Sequence, residues 1–354
     1  MKPGRYGGSA LAWAALLAYA SLYPFWPWRL PPAQKLREVF QLAGMVVRAD
    51  VAFNIVAYVP FGMLLCLHFR GEEDDRPGLA MLKAAAIAGA FSATMEGLQL
   101  FIPGRVSSVV DLMTNFTGAL VGSLVFGDPV YSMATRPLGE ARDRLVIPGG
   151  YGDAALMLVM LWLIAQLNPA LPFFAAGDLA TEIEPDLVAL RWAAVAMGIC
   201  GFGLFISTVM RDDTHSLRST AGLLSLALWL KFVMATSVLQ PHAAGDWLRG
   251  GWVEGVAVGL AAFVPLRKLA RTTRCYLGLI LILAGALFAK VFGTYSAMEG
   301  LRRLFRWPYG QVEAFASLTR FIHELWPFAA VTFLVALYLH ARRVPPPPAD
   351  RIPP

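Results

Sequence analysis

Asp50, Asn54, Glu96, Gln99, Arg105, Asp111 and Asn115 lie in or beside segments that are otherwise apolar enough to span a membrane. Carboxylates, an arginine and amides near a water-accessible interface suit acid–base work on a polar headgroup. Glu96 fits the role of general acid and Asp111, beside Arg105, that of an ionised partner. Arg105 has the fork geometry to hold a phosphate or carboxylate bidentately. An ionisable group inside a bilayer costs at least about 2.5–3.5 kcal/mol on insertion scales, so such residues usually face a protein interior and mark a functional site. Helical spacing gathers them: Asp50 and Asn54, Ser92 and Glu96, and Asp111 and Asn115 are each four apart, and Glu96 and Gln99 three apart. The bland alternative is structural. Arg105 would pair with Glu96 or Asp111, and Asn54 and Asn115 would tie the helices together. Intramembrane polar contacts average only about 0.6 kcal/mol, so scaffolding alone is an inefficient use of carboxylates.

The elements that must position these groups follow from composition. Of 354 residues 57% are hydrophobic and 15% charged, and mean hydropathy is +0.56. Such a chain is not an ordinary soluble domain. Ten apolar windows have spanning length: about 9–28, 51–69, 79–102, 108–127, 151–168, 188–210, 219–239, 252–270, 275–293 and 326–341. A spanning segment must satisfy its own backbone hydrogen bonds, and no alternating strand pattern suggests a barrel. The expected fold is therefore all-α, a polytopic integral membrane bundle of about ten transmembrane helices.

Loop charges set the orientation. Arg136, Arg142 and Arg144, then Arg211 and Arg218, then Arg267, Lys268, Arg271 and Arg274 mark inner loops, whereas 169–187 carries only acidic residues. Both termini are expected in the cytoplasm. Lys2, Arg5 and Ala18-Tyr19-Ala20 have the form of a cleavable signal, but apolar character continues to an aromatic belt of Tyr23, Trp26 and Trp28, which reads as an uncleaved anchor. Every polar residue of the cluster then falls within about two turns of the outer interface. Residues 1–127 form a four-helix first half, 128–150 a cytoplasmic linker, 151–343 a six-helix second half, and 344–354 a proline-rich disordered tail. Within the second half, 294–325 is expected to hold an amphipathic helix on the outer surface through Leu301, Leu304, Phe305, Val312, Phe315 and Leu318.

Gly118-A-L-V-Gly122 is a G-x-x-x-G, which allows close helix contact, and Pro60-Phe61-Gly62 suggests a kink or backbone opening. Taken together, D50-x-x-x-N54, P60-F-G62, E96-x-x-Q99, R105, D111-x-x-x-N115 and G118-x-x-x-G122 resemble the VanZ-like membrane domain over about residues 10–127. The resemblance implies a bacterial cytoplasmic membrane and a cell-envelope role. The family takes its name from a protein associated with low-level resistance to the glycopeptide teicoplanin. The resemblance gives no reaction.

The rest of the chain excludes more than it offers. The net charge of +6 is spread over loops, which fits anionic lipid and argues against nucleic acid. Cys66, Cys200 and Cys275 form no C-x-x-C pair, and no metal or cofactor motif occurs. Lys231 and Lys290 are expected to snorkel or to pair with a carboxylate. Three readings stand at this level. One is an outward-facing pocket that binds or modifies an amphipathic ligand or lipid-linked envelope precursor. Another is a transporter or flippase, against which the apolar inner halves of the second to fourth helices count. The last is a non-catalytic scaffold for envelope enzymes. Oligomeric state is open.

Overall fold

The computed structural model describes residues 6–39, 48–70, 76–125, 139–174, 188–243, 252–292, 300, 303–306 and 309–343. The chain divides into two compact units, Met1–Ala141 and Arg142–Pro354. The first holds α1 (Gly7–Leu22), α2 (Ala33–Glu38), α3 (Arg48–Arg70), α4 (Pro77–Gln99) and α5 (Val109–Val125). The second holds α6 (Gly150–Gln166), α7 (Val188–Val209), α8 (Ser216–Val238), α9 (Trp252–Leu266), α10 (Arg271–Phe292) and α11 (Tyr309–Arg343). Regular structure among the described residues is helical; the exceptions are isolated bridges between Val146 and Met210 and between Leu239 and Phe305.

Among the described residues six helices, α3, α4, α7, α8, α10 and α11, contain stretches long and apolar enough to cross a membrane. Four more, α1, α5, α6 and α9, are apolar but shorter; at 1.5 Å per residue their 15 to 17 residues reach about 22–26 Å, short of a 30 Å hydrocarbon layer. Large apolar side chains stand exposed along these helices, among them Val56, Leu82 and Met113 in the first unit and Trp229, Phe232 and Val291 in the second. Water would penalise that surface by about 25 cal/mol per Å², whereas lipid is its natural solvent. The chain is an all-helical membrane protein.

In the first unit, glycines set the packing. A Cβ on Gly118 would fall on the Ile55 carbonyl, one on Gly122 on the Val59 carbonyl, and one on Gly62 on the Ala119 carbonyl. With no side chain at these positions, α3 and α5 meet backbone to backbone. The α3 helix runs unbroken through Pro60. Ser123 Oγ donates to Ala119 O at 2.8 Å and lies 3.3 Å from Gly62 O, adding a polar tie at the crossing. Trp13 Nε1 donates to Ala57 O at 2.9 Å and docks α1 on α3. A core of Tyr58, Phe61, Cys66, Ala84, Ala88 and Ala119 fills the interior.

The second unit is built on α7, which packs most heavily on α9 and α10. Phe202 on this helix stacks on Trp162 with ring centroids 4.3 Å apart, and Phe174 and Trp326 complete an aromatic cluster. Part of the stretch read as a linker belongs to this unit: Arg142 pairs with Asp153 at 2.8 Å, and Ile147 N–H donates to Val209 O at 2.9 Å.

The structure corrects the expectation for 294–325. The last helix starts at Tyr309, not near 326, and continues through Pro327 as one 35-residue helix. Phe305 is buried and packs on Phe315, with Leu304 beside the same core, so these apolar groups serve the interior of the unit rather than a membrane surface. Leu301, the side chain of Val312 and the tail 344–354 lie outside the described residues. Lys231 is corrected as well. Its side chain is 1% exposed, and its ammonium donates to the carbonyls of Asn168 at 2.9 Å and Leu171 at 2.7 Å, with the Phe173 ring 5.2 Å away. It neither snorkels nor meets a carboxylate among the described residues. Lys290 does find a carboxylate, Glu324, at 3.3 Å.

Candidate functional site

The backbone contact of α3 with α5 brings their polar residues together. Asn54 Nδ2 donates to Asp111 Oδ1 at 2.8 Å. One turn along α5, Asn115 Nδ2 donates to Ser92 Oγ of α4 at 3.0 Å. The carboxylate of Glu96 is almost buried; its Oε2 accepts the Ser108 N–H at 3.0 Å, and the Ser107 hydroxyl also bonds to it. Ser108 precedes α5, and its own hydroxyl accepts the Val110 N–H at 3.1 Å in the manner of an N-cap. A side chain of α4 thus helps to fix the start of α5. Asp111 and Arg105 both lie within electrostatic range of Glu96.

Two further residues bind this end to α1. Gln99 Nε2 donates to Ser21 O at 3.0 Å, and Arg105 Nη2 donates to Ala20 O at 3.3 Å. The end of α1, the end of α4 and the start of α5 therefore meet. Six of the seven chemistry-bearing residues, Asn54, Glu96, Gln99, Arg105, Asp111 and Asn115, fall at this end of the unit. Asp50 occupies the first turn of α3, and its side chain lies outside the described residues. Gly62, Gly118 and Gly122 hold the helix crossing, and Pro60 lies inside α3.

Sequence reasoning missed several participants. Tyr58 is buried, and its hydroxyl sits beside Ser92 without a well-aligned hydrogen bond. The Oδ1 of Asn115 is likewise buried and has no hydrogen-bond partner among the described residues. In the sequence Tyr58 reads as ordinary core. The signal that could have found it is its place four residues after Asn54, on the same helical face. Ser107 and Ser108 gave the usual signal of a helix start, a hydroxyl just before an apolar run.

The second missed feature is a cleft of about 470 Å³ formed by residues of the 29–35 and 100–107 segments. Arg29, Lys35 and Arg105 line it, and among the described residues no acidic one does. Lys35 Nζ donates to the carbonyls of Gln99 at 3.0 Å and of Leu100 and Ile102 at 2.9 Å each. It thereby satisfies carbonyls at the C-terminal end of α4, where a cation also meets the negative end of the helix dipole. Burial, and then the neighbouring Arg105, hold the Lys35 ammonium below the usual lysine range. Among the described residues no group of three or more His, Cys, Asp or Glu side chains could hold a metal ion. The three cysteines are free and buried.

Fold and site together define a polytopic helical membrane protein whose first unit gathers its polar side chains at one end. Residues 8–128, about a third of the chain, match the VanZ/LLP1 family model. The match spans every residue of the polar cluster, so the N-terminal segment is VanZ-like. Comparison with curated proteins and with solved structures gave no match.

Proposed function

We propose that the VanZ-like segment presents an outward-facing polar site, at the bacterial cytoplasmic membrane, that binds or modifies an amphipathic molecule of the cell envelope. Glu96 and Asp111 are its acid–base groups; Asn54, Gln99, Arg105, Asn115 and Asp50 are its polar contacts. The observation that supports this reading is the meeting of Glu96, Asp111 and Arg105 at one end of the helix cluster, where Arg105 also lines an open cleft. Buried polar atoms on Tyr58 and Asn115, without a partner among the described residues, add to the case, since a buried donor or acceptor left unpaired costs about 1–3 kcal/mol. A role in glycopeptide resistance is the family-level form of the same proposal.

A scaffold reading has its own support in the Glu96–Ser108 and Asn54–Asp111 hydrogen bonds. The conservative variants separate the two. Glu96→Gln keeps an oxygen to accept the Ser108 N–H, and Asp111→Asn keeps one for Asn54, so each removes charge and leaves the tie. Teicoplanin susceptibility and lipid-linked precursors are measured in a glycopeptide-sensitive bacterial host at matched membrane levels of protein. We expect wild type to shift at least one readout and both variants to lose the shift. Variants that behave like wild type would make the cluster structural.

A further inference from the structure

The cleft between the 29–35 and 100–107 segments is lined by three cations, Arg29, Lys35 and Arg105. Arg29 is exposed, Arg105 and Lys35 are half-buried, and the other described residues of the lining are uncharged. Lys35 uses its three donors on the carbonyls of Gln99, Leu100 and Ile102, so it contributes field rather than hydrogen bonds to an occupant. Arg105 places one guanidinium nitrogen on Ala20 O. Two cations set close together disfavour each other's charge, and Arg105 acts on the Lys35 ammonium in this way, after burial. Glu96 feels the Arg105 charge, but it lies behind Ser107 and Ser108 in its hydrogen bonding and is absent from the cleft lining.

The walls are fixed before anything binds. Arg29 N–H donates to Phe101 O at 2.8 Å and joins one segment to the other. The Val109 N–H donates to Val39 O at 3.3 Å. Gly104, at φ +85°, supplies the left-handed turn that carries the chain from Pro103 to Arg105. A site held this way loses little conformational freedom on binding. Its surroundings are apolar and exposed: Trp28 at 43%, Leu30 at 87%, Phe101 at 37% and Val106 at 75%. Aromatic and aliphatic groups around a cationic centre match a molecule with an anionic head and an apolar chain, and tryptophan favours the depth at which headgroups lie.

We propose that this cleft binds the phosphate headgroup of an amphiphile, with Arg29 and Arg105 as its charge partners, Lys35 as the residue that positions the loop, and Leu30, Phe101 and Val106 against the chain. This deepens the function proposed above and rests on it for the outward placement and the amphipathic class. Arginine is suited to the task because its planar fork meets two phosphate oxygens at once.

The test uses the full-length protein in nanodiscs of phosphatidylcholine, titrated by calorimetry with three probes: dioctanoyl phosphatidic acid, dioctanoylglycerol and inorganic phosphate. Phosphatidic acid should bind, dioctanoylglycerol should not, and inorganic phosphate should bind at least about tenfold more weakly because it lacks the chain. Arg29→Gln should weaken phosphatidic acid by about tenfold or more, the loss expected for one charge-assisted contact, and Arg29→Lys should restore part of it. Arg29 is exposed, so its replacement leaves the fold intact; circular dichroism and thermal unfolding confirm this for each variant. Equal binding of dioctanoylglycerol, or an Arg29→Gln variant with wild-type affinity, overturns the proposal. Inorganic phosphate binding as tightly as phosphatidic acid overturns the amphiphile assignment and leaves a free-anion site. Loss of the envelope phenotype in Glu96→Gln is read in cells and loss of headgroup binding in Arg29→Gln by calorimetry, so failure of this proposal and failure of the function proposed above are separate results.

Discussion

Two lysines show how a charge is kept where a membrane protein holds one only at high cost. Lys35 and Lys231 both direct their ammonium at backbone carbonyls at or just past a helix end, Gln99 to Ile102 at the end of α4 and Asn168 to Leu171 after α6. These carbonyls have no partner within the helix, and in a medium without water they need a donor. The Asn168 side chain is itself held by Thr319 at 2.9 Å and accepts the Ala170 N–H at 2.9 Å, so the turn around Lys231 is a closed network. Lys231→Met should therefore destabilise the protein by about 1–3 kcal/mol, because it takes the ammonium donor from the Leu171 carbonyl and leaves the Asn168 carbonyl only the Leu171 N–H at 3.3 Å. Thermal unfolding in detergent measures this; an unchanged or raised midpoint would show that removing the buried charge outweighs the lost hydrogen bonds. Glu96 follows the same pattern with opposite sign. It tops a helix start through the Ser108 N–H, so its proposed role in chemistry and its role in architecture coincide in one carboxylate.

At the scale of elements, α3 and α5 depend on what their crossing lacks. Gly118, Gly122 and Gly62 each leave room for a carbonyl of the facing helix. Without hydrophobic drive between helices in lipid, such close approach is a main source of association. Gly118→Val should push the helices apart and cost at least about 1–3 kcal/mol, the usual range for overpacking. Gly97 on α4 is the control, since a Cβ there meets open space; Gly97→Ala should stabilise by up to about 1 kcal/mol through helix propensity. The two variants, compared by thermal unfolding, separate steric clash from backbone entropy. Displacement of α5 also moves Asp111 away from Asn54, so Gly118→Val is expected to lose the envelope phenotype along with stability. An α3–α5 crossing that tolerates valine would contradict the close packing.

For the whole molecule, the division at Ala141 has a physical basis: each apolar core falls inside one unit. The first unit contains the entire VanZ-like match to residue 128 and the whole polar cluster. Residues 1–141 expressed alone should insert in a membrane and keep a helical spectrum with cooperative unfolding. A fragment that is degraded or aggregates at wild-type expression levels would show that the first unit needs the second. The second unit, with its aromatic cluster and buried Lys231, has the makings of an independent helical bundle, since α7, α8, α10 and α11 all reach spanning length.

The sequence by itself determined the helical class, the positions of the apolar windows and the residues of the polar cluster. These depend on composition and on periodicity, both local properties of the chain. D50-x-x-x-N54, E96-x-x-Q99 and D111-x-x-x-N115 could be placed on helix faces for that reason. Which residue meets which was decided only in three dimensions. Lys35 lies 64 to 67 residues from the carbonyls it holds, Gln99 lies 78 from Ser21, and Arg105 lies 85 from Ala20. Nothing local in the sequence pairs Arg29 or Lys35 with Arg105, about 70 residues further on. Their meeting with Arg105 follows from the glycine-mediated crossing and the docking of α1, and so does the cleft: helix packing, not local pattern, sets contacts between residues so far apart in the chain.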